Sequence, residues 1–307
     1  MVNIALIFPG QGAQKAGMGK EFYDSSPQAK AAFDSADKIL GNGLLDVIFN
    51  GPQEKLTSTA YCQPAILAFS IAALNAFKSH PKFKMVTPKF AAGLSLGEYS
   101  ALVAGGALSF EDALRLVERR SAFMEEAARL AKGAMAAIIG FDKKRLLEIC
   151  QATGAEVANF NSPEQIVITG DADKVYAASE MIRREGAQGV IPLDVSGAFH
   201  STLMKPAAEK FTAELKKVQL QAPRFPVVCN VDGNPQSNPL QLSLNLARQM
   251  TASVCWEQSV QYMARQGISH FMEIGPGKVL KGLLRRIDPG LKVCNIEKPA
   301  DIDEISL

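Results

Sequence analysis

The chain has 307 residues, 33 Lys and Arg against 31 Asp and Glu, and a formal net charge of +2. With 47% apolar and 21% charged residues it can fill a large core, which excludes a wholly disordered chain. A balance this even lacks the one-signed footprint of a non-specific nucleic-acid binder, and no nucleic-acid partner is expected. In chain order, residues 4–8 form a continuous apolar run stopped by Pro9 and Gly10, the pattern of a buried parallel strand. A glycine-rich turn follows at Gly10-Gln-Gly-Ala-Gln14, then polar helical segments to about residue 40. Pro64 is expected to open an apolar helix over 65–77, at a first-turn position where its missing N–H costs little. Residues 89–92 read as a strand, Gly93 to Gly97 as a tight turn, and Glu98 onward as a small-residue helix. A longer helix is expected over 110–130.

From about residue 133 the pattern changes to strand 134–139, helix 143–153, strands 157–161 and 165–169, helix 172–184 and strand 190–195. That βαββαβ order is the ferredoxin-like unit. Beyond it lie a helix over 203–218, a strand over 227–231, helices over 239–250 and 256–266, and a strand over 270–274. A Gly-Pro-Gly turn, a helix over 279–287 and a strand over 292–296 close the pattern. Alternating strands and helices predict an α/β fold. A larger α/β-hydrolase-like domain with a mostly parallel sheet (1–130 and 198–307) would carry an inserted ferredoxin-like subdomain (131–197).

Five scattered cysteines (Cys62, Cys150, Cys229, Cys255, Cys294) show no CxxC pair, so a reducing compartment and no structural zinc are expected. The N-terminus has no positively charged leader, and the apolar stretch 65–74 is shorter than a membrane span. A soluble, cytoplasmic protein without a membrane partner is the expectation.

Chemistry concentrates at Gly93-Leu-Ser95-Leu-Gly97, which has the spacing of a nucleophile elbow between a strand and a helix. A plain glycine-rich turn with a capping serine would fit the same five residues. A serine hydroxyl needs a base at neutral pH, and only His80, His200 and His270 are available. His80 sits in a polar loop, Lys78-Ser-His-Pro-Lys82, and His270 begins an apolar strand. His200 follows a strand in the glycine-containing loop Val195-Ser-Gly-Ala-Phe-His200, where α/β folds place catalytic groups. By elimination it is the candidate base. Gly10-Gln-Gly12 lacks the third glycine of a dinucleotide fingerprint because position 15 is Lys, so no nucleotide cofactor is expected.

Taken together, Gly10-Gln-Gly-Ala-Gln14, Gly93-Leu-Ser-Leu-Gly-Glu-Tyr-Ser-Ala101, Arg120 with Phe123-Met124, Asn159-Phe-Asn-Ser-Pro163, Gly197-Ala-Phe-His200 and Gly275-Pro-Gly-Lys-Val-Leu280 resemble one family. It is the malonyl-CoA:acyl carrier protein transacylase family of bacterial type II fatty acid synthesis. The likeness spans nearly the whole chain. One departure is Leu94, where the family commonly has His before the nucleophile.

The resemblance implies that Ser95 attacks the malonyl thioester while His200 takes its proton. It implies that the N–H groups of Gln11 and Leu96 form the oxyanion hole, and that a backbone carbonyl near Gln249 orients the imidazole. Arg119 and Arg120 point about 100° apart on a helix, and the family match selects Arg120 to grip the malonyl carboxylate. The same match lines the pocket with Gln63, Met124, Asn161 and Phe199. It implies malonyl-CoA and acyl carrier protein as partners in a ping-pong reaction, no cofactor, and a monomer. The basic run Lys278, Lys281, Arg285 and Arg286 suits an encounter with an acidic carrier as well as an ordinary solvated face. Two other readings stand beside this one: a serine esterase or thioesterase of α/β-hydrolase type, and a non-catalytic docking subunit.

Overall fold

The computed structural model describes residues 1–306. Ten strands form two sheets among them: β1 (Val2–Phe8), β2 (Val86–Gly93), β3 (Gly133–Ile139), β4 (Glu156–Ser162), β5 (Gln165–Asp171), β6 (Gly189–Pro192), β7 (Val227–Val228), β8 (Pro235–Gln236), β9 (His270–Ile274) and β10 (Lys292–Ile296). The larger sheet runs β10-β9-β1-β2-β7-β8, parallel throughout except for β8. The smaller sheet runs β4-β5-β3-β6 and is antiparallel throughout, the strand order of a ferredoxin-like unit.

β1 explains why its sequence is apolar without alternation. Ile4, Leu6 and Phe8 face one core, built on the helix Thr59–Ser79 through residues such as Ile66 and Phe69. Ala5 and Ile7 face a second core containing Trp256, Val260, Leu280 and Leu284. A strand covered by helices on both faces has no solvent side on which to place polar residues. β3 divides its residues similarly. Ala136 and Ile138 pack under the helices Lys143–Thr153 and Ala172–Arg184, whereas Met135 and Ala137 turn toward a cavity between the two sheets. Asp142 and Asp171 cap those helices by accepting from the backbone N–H groups of Arg145 and of Asp173 and Lys174.

Several boundaries differ from expectation, each for a local reason. The helix expected to open at Pro64 begins at Thr59, because the Ser58 carbonyl accepts from the N–H groups of Tyr61 and Cys62 and starts a turn before the proline. At 21 residues this helix is long and apolar enough to cross a membrane, yet 83% of its most apolar window is buried inside the protein. β2 starts at Val86, and Lys89 bulges out of register between Pro88 and Phe90, which pair with Ile4 and Ala5. β7 has two residues: the chain turns back at Cys229, which exchanges bonds with Gly233 and Asn234, to add the unanticipated β8. β6 ends at Pro192, freeing Leu193, Asp194 and Val195 to line the cavity. The segment expected as one helix over 203–218 is a short 3-10 turn followed by the α-helix Lys205–Leu215.

The C-terminal ends of β1 and β2 nearly touch the helix Gly97–Gly105 that follows β2. A Cβ on Gly93 would lie 1.9 Å from the Gly97 carbonyl carbon, and one on Gly97 would lie 2.1 Å from the Phe8 carbonyl oxygen. Both obstacles are backbone, so neither can swing aside. Gly93→Ala is therefore expected to lower stability by about 3 kcal/mol or to abolish soluble expression, read as the urea midpoint against the parent chain.

Candidate active site

Ser95 stands on that strand-to-helix turn with φ 51°, in the left-handed region that non-glycine residues seldom occupy. Two side chains clamp its peptide groups. Asn230 Oδ1 accepts from the Ser95 N–H at 2.7 Å, and Gln249 Nε2 donates to the Ser95 carbonyl at 3.0 Å. Asn230 also donates through Nδ2 to the Gly93 carbonyl at 2.7 Å, so one side chain spans the elbow. Strain at such a turn persists only where surrounding bonds over-determine it.

His200, φ 60°, meets this serine from the loop after β6. Its Nε2 lies 2.8 Å from Ser95 Oγ, and its Nδ1 lies 2.8 Å from the main-chain oxygen of Gln249. A carbonyl can only accept, so Nδ1 carries the proton and Nε2 offers its lone pair to the serine hydroxyl. Burial, reinforced by the Arg120 charge and opposed by the Gln249 and Ala252 carbonyls, pushes the imidazole down to about 4. The ring is neutral at physiological pH, with Nε2 free to accept. The other two histidines are occupied elsewhere: His80 accepts from the Lys82 N–H and faces Asp303 at 3.2 Å, and His270 pairs with Ser269.

Arg120 comes from the helix Phe110–Leu130, on its buried face, whereas Arg119 is exposed. Arg120 itself is 1% exposed. It donates to Gln63 Oε1 at 2.6 Å, to Ser95 Oγ at 3.1 Å and to Gln249 Oε1 at 3.2 Å, while its Nε has no partner. Among the described residues no carboxylate lies within ion-pairing distance of it. The buried Glu98 acts on it through the intervening Gln249 amide, and burial pushes that carboxyl up to about 7. Leaving a buried cation without a counter-ion costs several kcal/mol. The arrangement therefore favours an incoming anion.

Ser95, His200 and Arg120 open into one cavity of about 480 Å³, between the C-terminal edge of the parallel sheet and the face of the small sheet carrying Met135, Ala137 and Val167. Gln11, Gln63, Leu96, Met124, Asn161 and Phe199 line it too, and Gln249 lies behind the imidazole. Among the described residues the backbone N–H groups of Gln11 and Leu96 have no hydrogen-bond partner. Asn161 Oδ1 is likewise buried and unpartnered. Val279, which begins the helix bearing the basic run, stands at the cavity as well. Among the described residues no group of His, Cys, Asp or Glu side chains is arranged to hold a metal ion.

Reading the sequence missed Asn230, Glu98 and the side chain of Gln249. Asn230 had a usable signal, since it follows a strand at the carboxyl edge where open α/β sheets build their sites. Glu98 and the Gln249 amide had none, because their role lies in contacts between residues more than a hundred positions apart. A hydroxyl bonded to a neutral imidazole beside an unpaired cation is equipped for covalent acyl transfer with an acyl group that carries its own carboxylate.

The acyl transferase domain family matches residues 5–295. The malonyl CoA-acyl carrier protein transacylase of Bacillus subtilis is 45% identical over 308 residues, covering 99% of this chain and 96% of that protein. The acyl-carrier-protein-S-malonyltransferase of Bartonella henselae superposes with a TM-score of 0.94 at 38% identity, over 99% of this chain and 98% of that one. A malonyl-transacylase solved in complex with a type II PKS acyl-carrier protein superposes with a TM-score of 0.93 at 37% identity, over 98% of both chains.

A depressed imidazole has a clear signature. His200 binds a proton only as pH falls toward about 4, and the protonated ring cannot accept from Ser95. Labelling of Ser95 by a serine-directed acylating reagent should therefore stay level from neutral pH to about pH 5 and decline below it. A decline already centred near the ordinary histidine value would contradict the assignment.

Proposed function

The chain belongs to the acyl transferase domain family, among the malonyl CoA-acyl carrier protein transacylases, and on that premise we propose that it moves a malonyl group from malonyl-CoA to the thiol of an acyl carrier protein. Ser95 Oγ attacks the thioester carbonyl while its proton passes to His200 Nε2. The developing oxyanion is received by the free N–H groups of Gln11 and Leu96, where one donor is typically worth about 3–4 kcal/mol. Collapse expels the CoA thiolate, which takes the proton from the imidazolium and leaves malonyl-serine. In the second half-reaction His200 accepts the proton of the carrier thiol, the sulfur attacks the ester, and Ser95 recovers its hydrogen from the imidazolium.

One observation carries this reading: a buried guanidinium with no carboxylate partner stands 3.1 Å from the nucleophile. A malonyl carboxylate can satisfy its fork bidentately, which a neutral acyl group cannot. Gln63, Met124, Phe199 and Asn161 complete the pocket. With the imidazole anchored by the main-chain carbonyl of Gln249, serine and histidine act as a dyad. The esterase alternative is not favoured, since the relatives are transacylases. The reading involves no cofactor beyond the CoA of the substrate, and takes residues 131–197 as a small subdomain closing the cavity in a cytoplasmic monomer. The exposed Lys278, Arg285 and Arg286, on or beside the helix that begins at Val279, favour encounter with an acidic carrier.

Brief exposure to malonyl-CoA, followed by intact-protein mass measurement, should show one malonyl adduct on the parent chain and none on Ser95→Ala. Malonyl labelling of Ser95→Ala at the parent rate would mean that the nucleophile lies elsewhere. Arg120→Ala should slow malonyl transfer about a hundredfold while slowing acetyl transfer far less. Equal losses for both donors would reassign Arg120 to a structural role.

A further inference from the structure

Glu98 is fully buried, makes no side-chain hydrogen bond to the Ser95 hydroxyl or the His200 ring among the described residues, and is not used in the proposed transfer. Its Oε2 accepts from Gln249 Nε2 at 2.8 Å and from the Asn230 N–H at 3.0 Å. These are the two residues that clamp the peptide groups of Ser95. A glutamine amide has one donating and one accepting end. Its nitrogen here faces three oxygens, those of Glu98, of the Ser95 carbonyl and, at 3.3 Å, of Asn230 Oδ1. Its oxygen is thereby directed at Arg120. Reversing the amide would set its oxygen against those three oxygens and its NH2 against a guanidinium, which has no acceptor.

We infer that Glu98 is a positioning residue for acyl selectivity: its carboxyl oxygen keys the Gln249 amide, which holds the Arg120 guanidinium over the serine where a carboxylate-bearing acyl group must bind. This inference rests on the malonyl-transfer reading. Without that acceptor, the Gln249 nitrogen keeps only the Ser95 carbonyl and, at 3.3 Å, Asn230 Oδ1, so the amide is held less firmly and Gln63 is left as the firmer acceptor for Arg120. The anchor of His200 is the main-chain oxygen of Gln249, which does not depend on the sense of the amide. Loosening the Gln249 bond to the Ser95 carbonyl slows both donors, and loss of the Arg120 contact adds a further penalty for carboxylate-bearing acyl groups alone.

The test is single-turnover acylation of the full chain by malonyl-CoA and by acetyl-CoA. Glu98→Met removes the acceptor and should lower the malonyl-to-acetyl rate ratio about tenfold, the worth of one hydrogen bond. Glu98→Gln keeps an acceptor oxygen at the same reach and should hold the ratio within about twofold of the parent. Gln249→Met breaks the link from the other side, should reproduce the loss, and decides the matter if Glu98→Met does not fold. Parallel slowing of both donors in the methionine variants would overturn the inference. So would a glutamine variant as impaired as Glu98→Met, which would point to charge compensation instead. A parent chain with no preference for malonyl would overturn the proposed function and this inference together, whereas a parent preference retained by every variant would overturn this inference alone.

Discussion

The site depends on an uncompensated buried charge. Arg120 is enclosed among Gln63, Gln249, Ser95 and the ring of Tyr99, 5.7 Å from its carbon, with three neutral acceptors and no bonded carboxylate. Neutral acceptors make such a cation tolerable without cancelling it. The charge also acts on its neighbours. It helps to keep His200 unprotonated, and so keeps the base ready to accept. One residue thus leaves a place for an anion beside Ser95 and helps keep the His200 ring neutral. Moving the charge outward, to the exposed position of Arg119, would remove both effects at once.

Holding that charge against a strained serine needs a rigid frame, and the frame is assembled from the far parts of the chain. Gln249 supplies a main-chain oxygen to His200, an amide oxygen to Arg120 and an amide nitrogen to the Ser95 carbonyl. Asn230 secures the other side of the elbow. Both stand near the carboxyl edge of the parallel sheet, where strand ends bring remote segments together. The positive φ of Ser95 and His200 is tolerated because these bonds leave the backbone no slack.

The small sheet contributes by its pleat. Met135 and Ala137 of β3 line the cavity while Ala134, Ala136 and Ile138 pack under the two covering helices, so a seven-residue strand serves both a small core and a cavity wall. Phe199 and His200 leave this unit on a loop tied back by Thr169, whose hydroxyl donates to the Phe199 carbonyl at 3.0 Å.

Much of this was legible in the order of residues. The doubly covered β1, the βαββαβ unit and the glycine elbow follow from local pattern, because burial on both faces, pleat alternation and backbone crowding each leave a mark on neighbouring residues. Ser95 and His200 stood out as candidates from residue type and local context, and Arg120 from family resemblance. The sequence could not reveal the two-residue β7, whose length is set by a turn at Cys229, nor the Glu98–Gln249–Arg120 chain. Those depend on which groups become neighbours once solvent is excluded. Hydrogen-bond sense and counter-ion absence are properties of a three-dimensional enclosure, and no stretch of linear sequence records them.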